Sequence, residues 1–103
     1  MSISIRAALP VDKQRWLVLW QAYLDFYKTV LSAEQSELTW QRILDPEFNM
    51  KCALAIDDGV IVGFTTYSLQ NSTWSENGHC YLEDLFVDST VRGKGVGRAL
   101  IEY

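Results

Sequence analysis

The sequence contains little histidine, cysteine and proline: of its 103 residues, one is His, two are Cys and two are Pro. A single histidine, His79, argues against a multi-histidine metal site and against a Ser-His-Asp triad, and we expect it in a surface loop. Cys52 and Cys80 lie in strand-like runs without metal-ligand spacing, so they are expected to be buried thiols that pack as small apolar residues. These observations predict that no metal cofactor is bound.

Long apolar runs and excess positive charge are also missing. No run approaches the roughly 20 apolar residues of a membrane span, and MSISIRAALP at residues 1–10 lacks the basic-then-apolar pattern of a signal peptide. We therefore expect a cytoplasmic protein that does not bind membranes. Thirteen acidic residues against nine basic ones give a net charge of -4. That charge repels polyphosphate backbones, so nucleic acid is a poor candidate partner, and it weakly attracts cationic ligands.

The length and the hydrophobic spacing predict one domain over residues 1–103. The predicted elements, in chain order, are a strand at 3–8, a helix at 13–27, a helix that Ser36 caps and Pro46 ends, strands at 52–56, 60–69 and 80–87, and a helix from about 94–96. The tripeptide Asp57-Asp58-Gly59 is typical of a tight hairpin. The order β-α-α-β-β-β-α predicts an α/β fold of the α+β type, with a mixed, mostly antiparallel sheet and helices on its faces.

The most informative stretch is RGKGVGR at 92–98, between the last predicted strand and the last helix. Its three glycines let the backbone turn sharply and let a ligand approach closely. Successive N–H groups at a helix N-terminus, together with three nearby cations, suit a pyrophosphate. The spacing fits neither G-x-G-x-x-G nor the Walker pattern, which leaves R-x-x-G-x-G from Arg92 to Gly97. The alternatives are a flexible loop with solvated charges and a generic nucleotide site.

This motif, with YLEDLFV at 81–87 before it, resembles the GNAT superfamily of N-acetyltransferases, whose acetyl-CoA signature is (Q/R)-x-x-G-x-(G/A). The polyamine (spermidine/spermine-type) acetyltransferases carry a very similar run, and GFTTYSL at 63–69 followed by a loop with Trp74 agrees with them. The resemblance implies acetyl-CoA as cosubstrate and a small cationic amine or polyamine as acceptor. It also implies direct attack of the neutral amine on the thioester while both substrates are bound.

The resemblance further implies which residues bind the cosubstrate. The backbone of Leu85, Phe86 and Val87 would bind the pantetheine arm, and the N–H groups of this strand would polarise the thioester carbonyl. The diphosphate would be held by the turn and the start of the helix, through Arg92, Gly93, Lys94, Gly95, Val96, Gly97 and Arg98.

Glu83 and Asp84 are the candidate catalytic residues. Strand alternation predicts that they lie on opposite faces, and neither carboxylate is expected in a dry core. An amine attacks a thioester only when neutral, so the reaction needs a group that accepts its proton. By the resemblance Glu83 accepts that proton, and Asp84 supports it or binds a second cationic group. The alternative is a surface pair neutralised by neighbouring Lys or Arg.

The family pattern and this sequence differ at the C-terminal end. A complete GNAT domain continues beyond this helix with a splayed strand, another helix and usually two more strands, and the later helix supplies the tyrosine that protonates the leaving thiolate. Tyr103 lies in a different element and is not assigned that role. We expect a truncated domain whose 80–87 strand is an open edge, and therefore a homodimer. The alternative function is a non-catalytic module that binds acyl-CoA or a partner. On the first helix, Tyr23, Asp25 and Tyr27 are expected to be core or solvated-face residues.

Overall fold

The computed structural model describes residues 3–70, 79–91 and 95–102. Two short 3-10 turns, Pro10–Asp12 and Ser89–Val91, lie before the first long helix and after the last strand. The remaining elements are β1 (Ile3–Ala7), α1 (Lys13–Phe26), α2 (Ala33–Leu44), β2 (Lys51–Asp57), β3 (Val60–Gln70), β4 (His79–Val87) and α3 (Val96–Glu102). This is the predicted β-α-α-β-β-β-α order.

The four strands form one antiparallel sheet in the order β1-β2-β3-β4. The hairpin between β2 and β3 turns at Asp58 and Gly59, whose φ angles are 51° and 80°. Two consecutive positive φ angles are typical of a type I′ turn, which matches the twist of the strands on either side. The predicted fold class, an α+β sheet with helices on its faces, is confirmed.

Helices α1 and α2 cover one face of the sheet through a cluster of aromatic rings. Trp16 is fully buried, and its ring centroid lies 5.1 Å from that of Trp20 and 4.9 Å from that of Trp40. These rings pack over Phe64 of β3, which is also fully buried. Because α1 places a tryptophan at positions 16 and 20, one turn apart, both rings point to the sheet.

Helix α3 covers the opposite face, where the packing is closer. Val96 and Leu100 are buried against small residues of β2 and β3. A Cβ atom on Gly63 of β3 would lie 3.0 Å from the Phe86 carbonyl oxygen and 3.3 Å from Leu100 Cδ1. Glycine at this position therefore lets α3 approach the sheet, and the backbone conformation does not require it.

The start of α2 corrects one sequence prediction. The predicted cap, Ser36, is wrong: α2 begins at Ala33, and the Ser32 hydroxyl accepts a hydrogen bond of 3.1 Å from the Gln35 backbone N–H. Ser36 lies inside the helix, buried, where its hydroxyl accepts a hydrogen bond of 3.0 Å from Trp20 Nε1. Ser32 with Gln35 has the spacing of a capping box, which is the stronger start signal.

Asp12 joins β1 to the start of α1 and is expected to stabilise the fold in a pH-dependent way. Its carboxylate, only 5% exposed, accepts hydrogen bonds of 2.7 and 2.9 Å from the Arg6 guanidinium and one of 2.8 Å from the Leu9 N–H. The hydrogen bonds from Arg6 chiefly, with further help from Leu9, hold the pKa of Asp12 below its usual value. A lowered pKa means that the stabilisation is present above the unfolded-state pKa of about 3.9 and is lost as the pH falls through the folded-state pKa.

We therefore expect Asp12→Asn to lower the free energy of unfolding by about 1–3 kcal/mol at pH 7. The difference between the parent and the variant should begin to shrink below about pH 4 and should vanish below the folded-state pKa, where the parent loses the same ionic contacts. Urea unfolding at both pH values measures the difference. Asp25→Asn, the same change at an exposed position of α1, is the control and should stay close to the parent at both. A constant gap between Asp12→Asn and the parent would contradict the ionic contribution.

Candidate active site on strand β4

Strand β4 contains a β-bulge at Glu83. Thr66 of β3 is paired with Asp84 and Tyr67 with Leu82, so one extra residue lies on β4 between these two pairs. The bulge interrupts the alternation of side chains, and Leu82 and Asp84 therefore face opposite sides of the sheet. The alternation from which opposite faces were predicted for Glu83 and Asp84 is therefore interrupted at this point. Glu83 itself is exposed.

Asp84 is half-buried and is held by two hydrogen bonds. Its Oδ1 accepts a bond of 2.8 Å from the Tyr23 hydroxyl of α1, and its carbonyl oxygen accepts one of 2.8 Å from Thr65 Oγ1. Burial, then the hydrogen bond to Asp84 and its charge, and then the charges of Tyr27 and Glu83 raise the pKa of Tyr23. Both carboxylates thus act on the same hydroxyl, which places their charges together beside the C-terminal half of α1.

Tyr23 is the residue of this site that the sequence prediction missed. The expectation of a core residue is right for its ring, which packs edge-on against Phe64 and Phe86. Its hydroxyl, however, reaches β4. The available signal was its position seven residues after Trp16, on the buried face of the helix, where a phenol needs a hydrogen-bond partner when it is buried.

Cys52 lies on the same face of the sheet, in register with Thr66 and Asp84 across three strands. It is buried, as predicted, and burial together with the charges of Asp84 and Asp12 raises the pKa of its thiol to about 12. The thiol is therefore protonated at neutral pH and is not a nucleophile. The side chains of Cys80 and His79, by contrast, lie outside the described residues.

The outer edge of β4 is the predicted binding surface for the cosubstrate's pantetheine arm. The Asp88 N–H donates 2.7 Å to the Val62 carbonyl of β3. Since backbone groups alternate in direction along a strand, this bond indicates that the N–H and C=O groups of Leu85 and Val87 point away from β3, whereas those of Phe86 point toward it. The Phe86 side chain is in the core. Of the three predicted residues, Leu85 and Val87 thus have backbone groups that point to the outer edge of β4.

A groove of about 350 Å³ runs along this edge, between the end of α1 and β4. Its sides are formed by Phe26, the last residue of α1, by Tyr27, which follows it, and by residues 85–87 of β4. The groove is predominantly apolar, and it begins directly after the carboxylate pair along β4. The candidate catalytic residues and the edge of the strand therefore form one continuous surface.

The glycine-rich turn is described only in part. Arg92, Gly93 and Lys94 lie outside the described residues. Gly95 has a φ angle of +83°, and a Cβ atom there would have no neighbour within 4 Å among the described residues. Gly97 and Arg98 lie in the first turn of α3, where Arg98 is exposed. The predicted ligand-binding residue Val96 is 1% exposed, so its side chain packs in the core and only its backbone could contact a ligand.

Arg15 of α1 connects to the end of β4, an arrangement that the sequence did not reveal. Its Nε donates 2.9 Å to the Ile61 carbonyl, and its Nη2 donates 3.2 Å to Asp88 Oδ2. The Val91 N–H in turn donates 3.0 Å to the Asp88 carbonyl. These bonds fix the point at which the chain leaves β4 and enters the glycine-rich turn.

Across residues 3–70, 79–91 and 95–102, no group of three or more His, Cys, Asp or Glu side chains could hold a metal ion. Over the same ranges, every helix is too short or too polar to cross a membrane.

Solved structures of other proteins share this fold. Ribosomal-protein-alanine N-acetyltransferase from Brucella melitensis biovar Abortus superposes with a TM-score of 0.80 at 21% identity, over 99% of this chain and 68% of that one. AAC(6')-Iy, solved in complex with a bisubstrate analog, CoA-S-monomethyl-acetylneamine, gives a TM-score of 0.83 at 21% identity over the same shares. A possible acetyltransferase from Clostridium difficile gives 0.84 at 19% identity, over 100% of this chain and 68% of that one. At these identities the likeness concerns the fold.

Sequence comparison is more specific. The D-amino-acid N-acetyltransferase HPA3 of Saccharomyces cerevisiae is 38% identical over an alignment of 103 positions, which covers 98% of this chain and 64% of that protein. The chain thus spans just under two thirds of the length of this relative. The family model of the acetyltransferase (GNAT) family matches residues 16–103, from α1 to the end of the chain. The resemblance seen in R-x-x-G-x-G and the strand before it is therefore confirmed at the level of the family: the chain belongs to the GNAT acetyltransferases.

Proposed function

We propose that this protein is an acetyl-CoA-dependent N-acetyltransferase that acetylates a primary amine. Family membership supports the reaction class. The observation that carries the proposal is the placement of Glu83 and Asp84 at the bulge of β4, directly before the strand edge formed by residues 85–87. A base and a binding edge for the thioester would then be adjacent, as a direct transfer requires.

The described residues fit the cosubstrate. The groove between residues 26–27 and 85–87 is open and mostly apolar, and the outward backbone groups of Leu85 would hydrogen-bond the amides of the pantetheine arm. Gly95 has no side chain and no neighbour at the Cβ position among the described residues, so it would let the diphosphate approach the backbone before α3. Acetyl-CoA supplies the activated acetyl group when it is bound. The protein supplies orientation and takes up the proton.

Glu83 is assigned the proton transfer. It is exposed at the bulge and can accept the proton of the attacking amine directly or through a water molecule. Outward N–H groups of β4 would stabilise the negative charge that develops on the thioester oxygen. Asp84, held by Tyr23, would bind the cationic acceptor beside Glu83.

For the acceptor we propose a small cationic amine or polyamine. Two adjacent carboxylates and the net charge of -4 favour a cation over an anion. A D-amino acid is the second candidate, because the 38% identical relative is named a D-amino-acid N-acetyltransferase. The two differ in charge: an amino acid brings a carboxylate, which the pair of acidic residues would repel unless a cation balances it.

An acetylation assay with matched acceptors tests the function. Release of the CoA thiol is followed with spermidine, D-phenylalanine and an aminoglycoside, and CoA binding is measured separately by calorimetry. We expect CoA binding and the highest kcat/KM with spermidine. A higher kcat/KM with D-phenylalanine would instead establish the second candidate. CoA binding without thiol release from any acceptor would favour a non-catalytic acyl-CoA-binding module.

Gly95→Val tests the cosubstrate site against a matched control. Gly95 and Gly59 both have a positive φ angle, +83° and +80°, so valine strains the backbone at either position. Within the part of the chain that the structure describes, neither has a neighbour within 4 Å of the Cβ position. Gly59 lies in the β2–β3 turn and does not line the groove. We expect Gly95→Val to weaken CoA binding by at least about tenfold, and Gly59→Val to bind CoA like the parent once both are confirmed as folded by circular dichroism. Equal losses in the two variants would contradict a diphosphate site at Gly95.

We propose a homodimer and a cytoplasmic location as well. In the sheet of the described residues β4 pairs with β3 alone, and an open strand edge favours association. Sedimentation at several concentrations tests the dimer, and a monomer throughout would contradict it.

A further inference from the structure

The Tyr23 side chain joins α1 to Asp84 of β4, one of the two adjacent carboxylates. We propose that Tyr23 is a positioning residue, which holds the Asp84 carboxylate in the orientation that binds the acceptor amine. This inference rests on the proposed function, since it assigns Asp84 to the acceptor. Tyr23 and Asp84 are 61 positions apart in the chain, and their contact of 2.8 Å forms only when α1 packs on the sheet.

The ring of Tyr23 is held rigidly enough to fix its hydroxyl. It stacks on Trp20 at a centroid distance of 5.6 Å, and it meets Phe64 at 5.8 Å and Phe86 at 6.1 Å with nearly perpendicular planes. With Tyr27 at 5.1 Å as a fourth aromatic neighbour, the ring has little freedom to rotate. The hydroxyl is therefore presented to Asp84 from a fixed point rather than by a mobile surface side chain.

The direction of the hydrogen bond is also fixed. Burial first, and then the bond to Asp84, raise the pKa of Tyr23 above its usual value, so the phenol keeps its proton at any pH at which the enzyme would work. It can thus donate to a carboxylate throughout. Because it occupies Oδ1, the rotation of the Asp84 carboxylate is set, and Oδ2 has one orientation rather than several.

A second hydroxyl near Asp84 provides a matched control. Thr66 lies directly opposite Asp84 on β3, is fully buried, and its Oγ1 has no hydrogen-bond partner in the part of the chain that the structure describes. Thr66→Val and Tyr23→Phe each remove one hydroxyl beside Asp84 and keep the shape of the side chain. Only the hydroxyl of Tyr23 is bonded to the carboxylate.

The kinetic experiment compares these two variants with the parent, using the acceptor that the parent acetylates fastest in the panel above. We expect Tyr23→Phe to raise the KM for that amine by about 10-fold or more, the size of effect expected for the loss of a hydrogen bond to a charged group. The KM for acetyl-CoA should not change. Thr66→Val should keep both KM values. An unchanged amine KM in Tyr23→Phe, or an equal increase in Thr66→Val, would overturn the positioning role.

A spectroscopic experiment tests the pair without turnover. Alkaline titration of the tyrosines is followed by NMR of ring-labelled protein, with the Tyr23 signal assigned by its loss in Tyr23→Phe. Asp84→Asn keeps an oxygen that can accept the hydrogen bond but removes the negative charge, which should make ionisation of Tyr23 easier and move its titration to lower pH. An unchanged titration would overturn the pairing of the two residues.

The two proposals fail in different ways. A parent protein that acetylates no amine of the panel would overturn the proposed function, and with it any role of Tyr23 in a reaction. A parent that acetylates amines, while Tyr23→Phe keeps its amine KM, would overturn only the role of Tyr23. A raised amine KM in Tyr23→Phe together with a shifted Tyr23 titration in Asp84→Asn would support both.

Discussion

Trp16→Ala is expected to lower the free energy of unfolding by about 3–5 kcal/mol. Domains of this size are stable by about 5–15 kcal/mol in total, so the variant should be partly unfolded at 37 °C. The indole of Trp16 is fully buried and lies between the rings of Trp20, Trp40 and Phe64. These three rings come from the next turn of α1, from α2 and from β3. Alanine would leave a cavity at the point where α1, α2 and the sheet meet.

The loss should come from the cavity and not from a lost hydrogen bond, because the Trp16 Nε1 atom has no hydrogen-bond partner within the described residues. Denaturant unfolding followed by circular dichroism measures it. Val18→Ala is the control on the same helix, since Val18 is 56% exposed, and it should change the free energy of unfolding by less than about 0.5 kcal/mol. A loss for Trp16→Ala as small as that of the control would show that α1 is not anchored by this cluster.

The sequence predicted best those elements in which one face is buried. Trp16, Trp20 and Leu24 recur at a spacing of four residues, which is typical of a helix that buries one face against a core. The β2–β3 hairpin was predicted for a related reason, because Asp58 and Gly59 supply the two positive φ angles that a two-residue turn needs. In both cases the signal lies in neighbouring residues.

The candidate site depends on features that neighbouring residues do not encode. A bulge at Glu83 is a property of the pairing between two strands, and the run YLEDLFV shows nothing of it. The contact of Tyr23 with Asp84 likewise requires the packing of α1 on the sheet. The residue types of the site were thus identified through the resemblance to a family, whereas their faces and partners needed the three-dimensional arrangement.

Glu83→Gln is expected to slow acetyl transfer by about 10²–10⁴-fold at pH 7, the usual contribution of a general base. An alkylammonium with a pKa of about 10 is almost fully protonated at that pH, so without a proton acceptor only the small neutral fraction can react. The defect should shrink as the pH rises, since each unit gives the variant up to about ten times more neutral amine in solution. Rates at saturating acetyl-CoA from pH 6 to 9 measure this dependence.

A control variant that removes one negative charge at another position distinguishes a catalytic role of Glu83 from a general electrostatic effect. Glu47→Gln changes one exposed carboxylate in the turn after α2 and leaves the net charge equal to that of Glu83→Gln; it should keep the parent rate at every pH. CoA affinity should be unchanged in both variants, because Glu83 lies before the strand edge that would bind the cosubstrate. If Glu83→Gln keeps the full rate from pH 6 to 9, the proton is accepted elsewhere. Asp84 is then the candidate proton acceptor. In that case the hydrogen bond from Tyr23 would orient the base itself and not only a group that binds the acceptor.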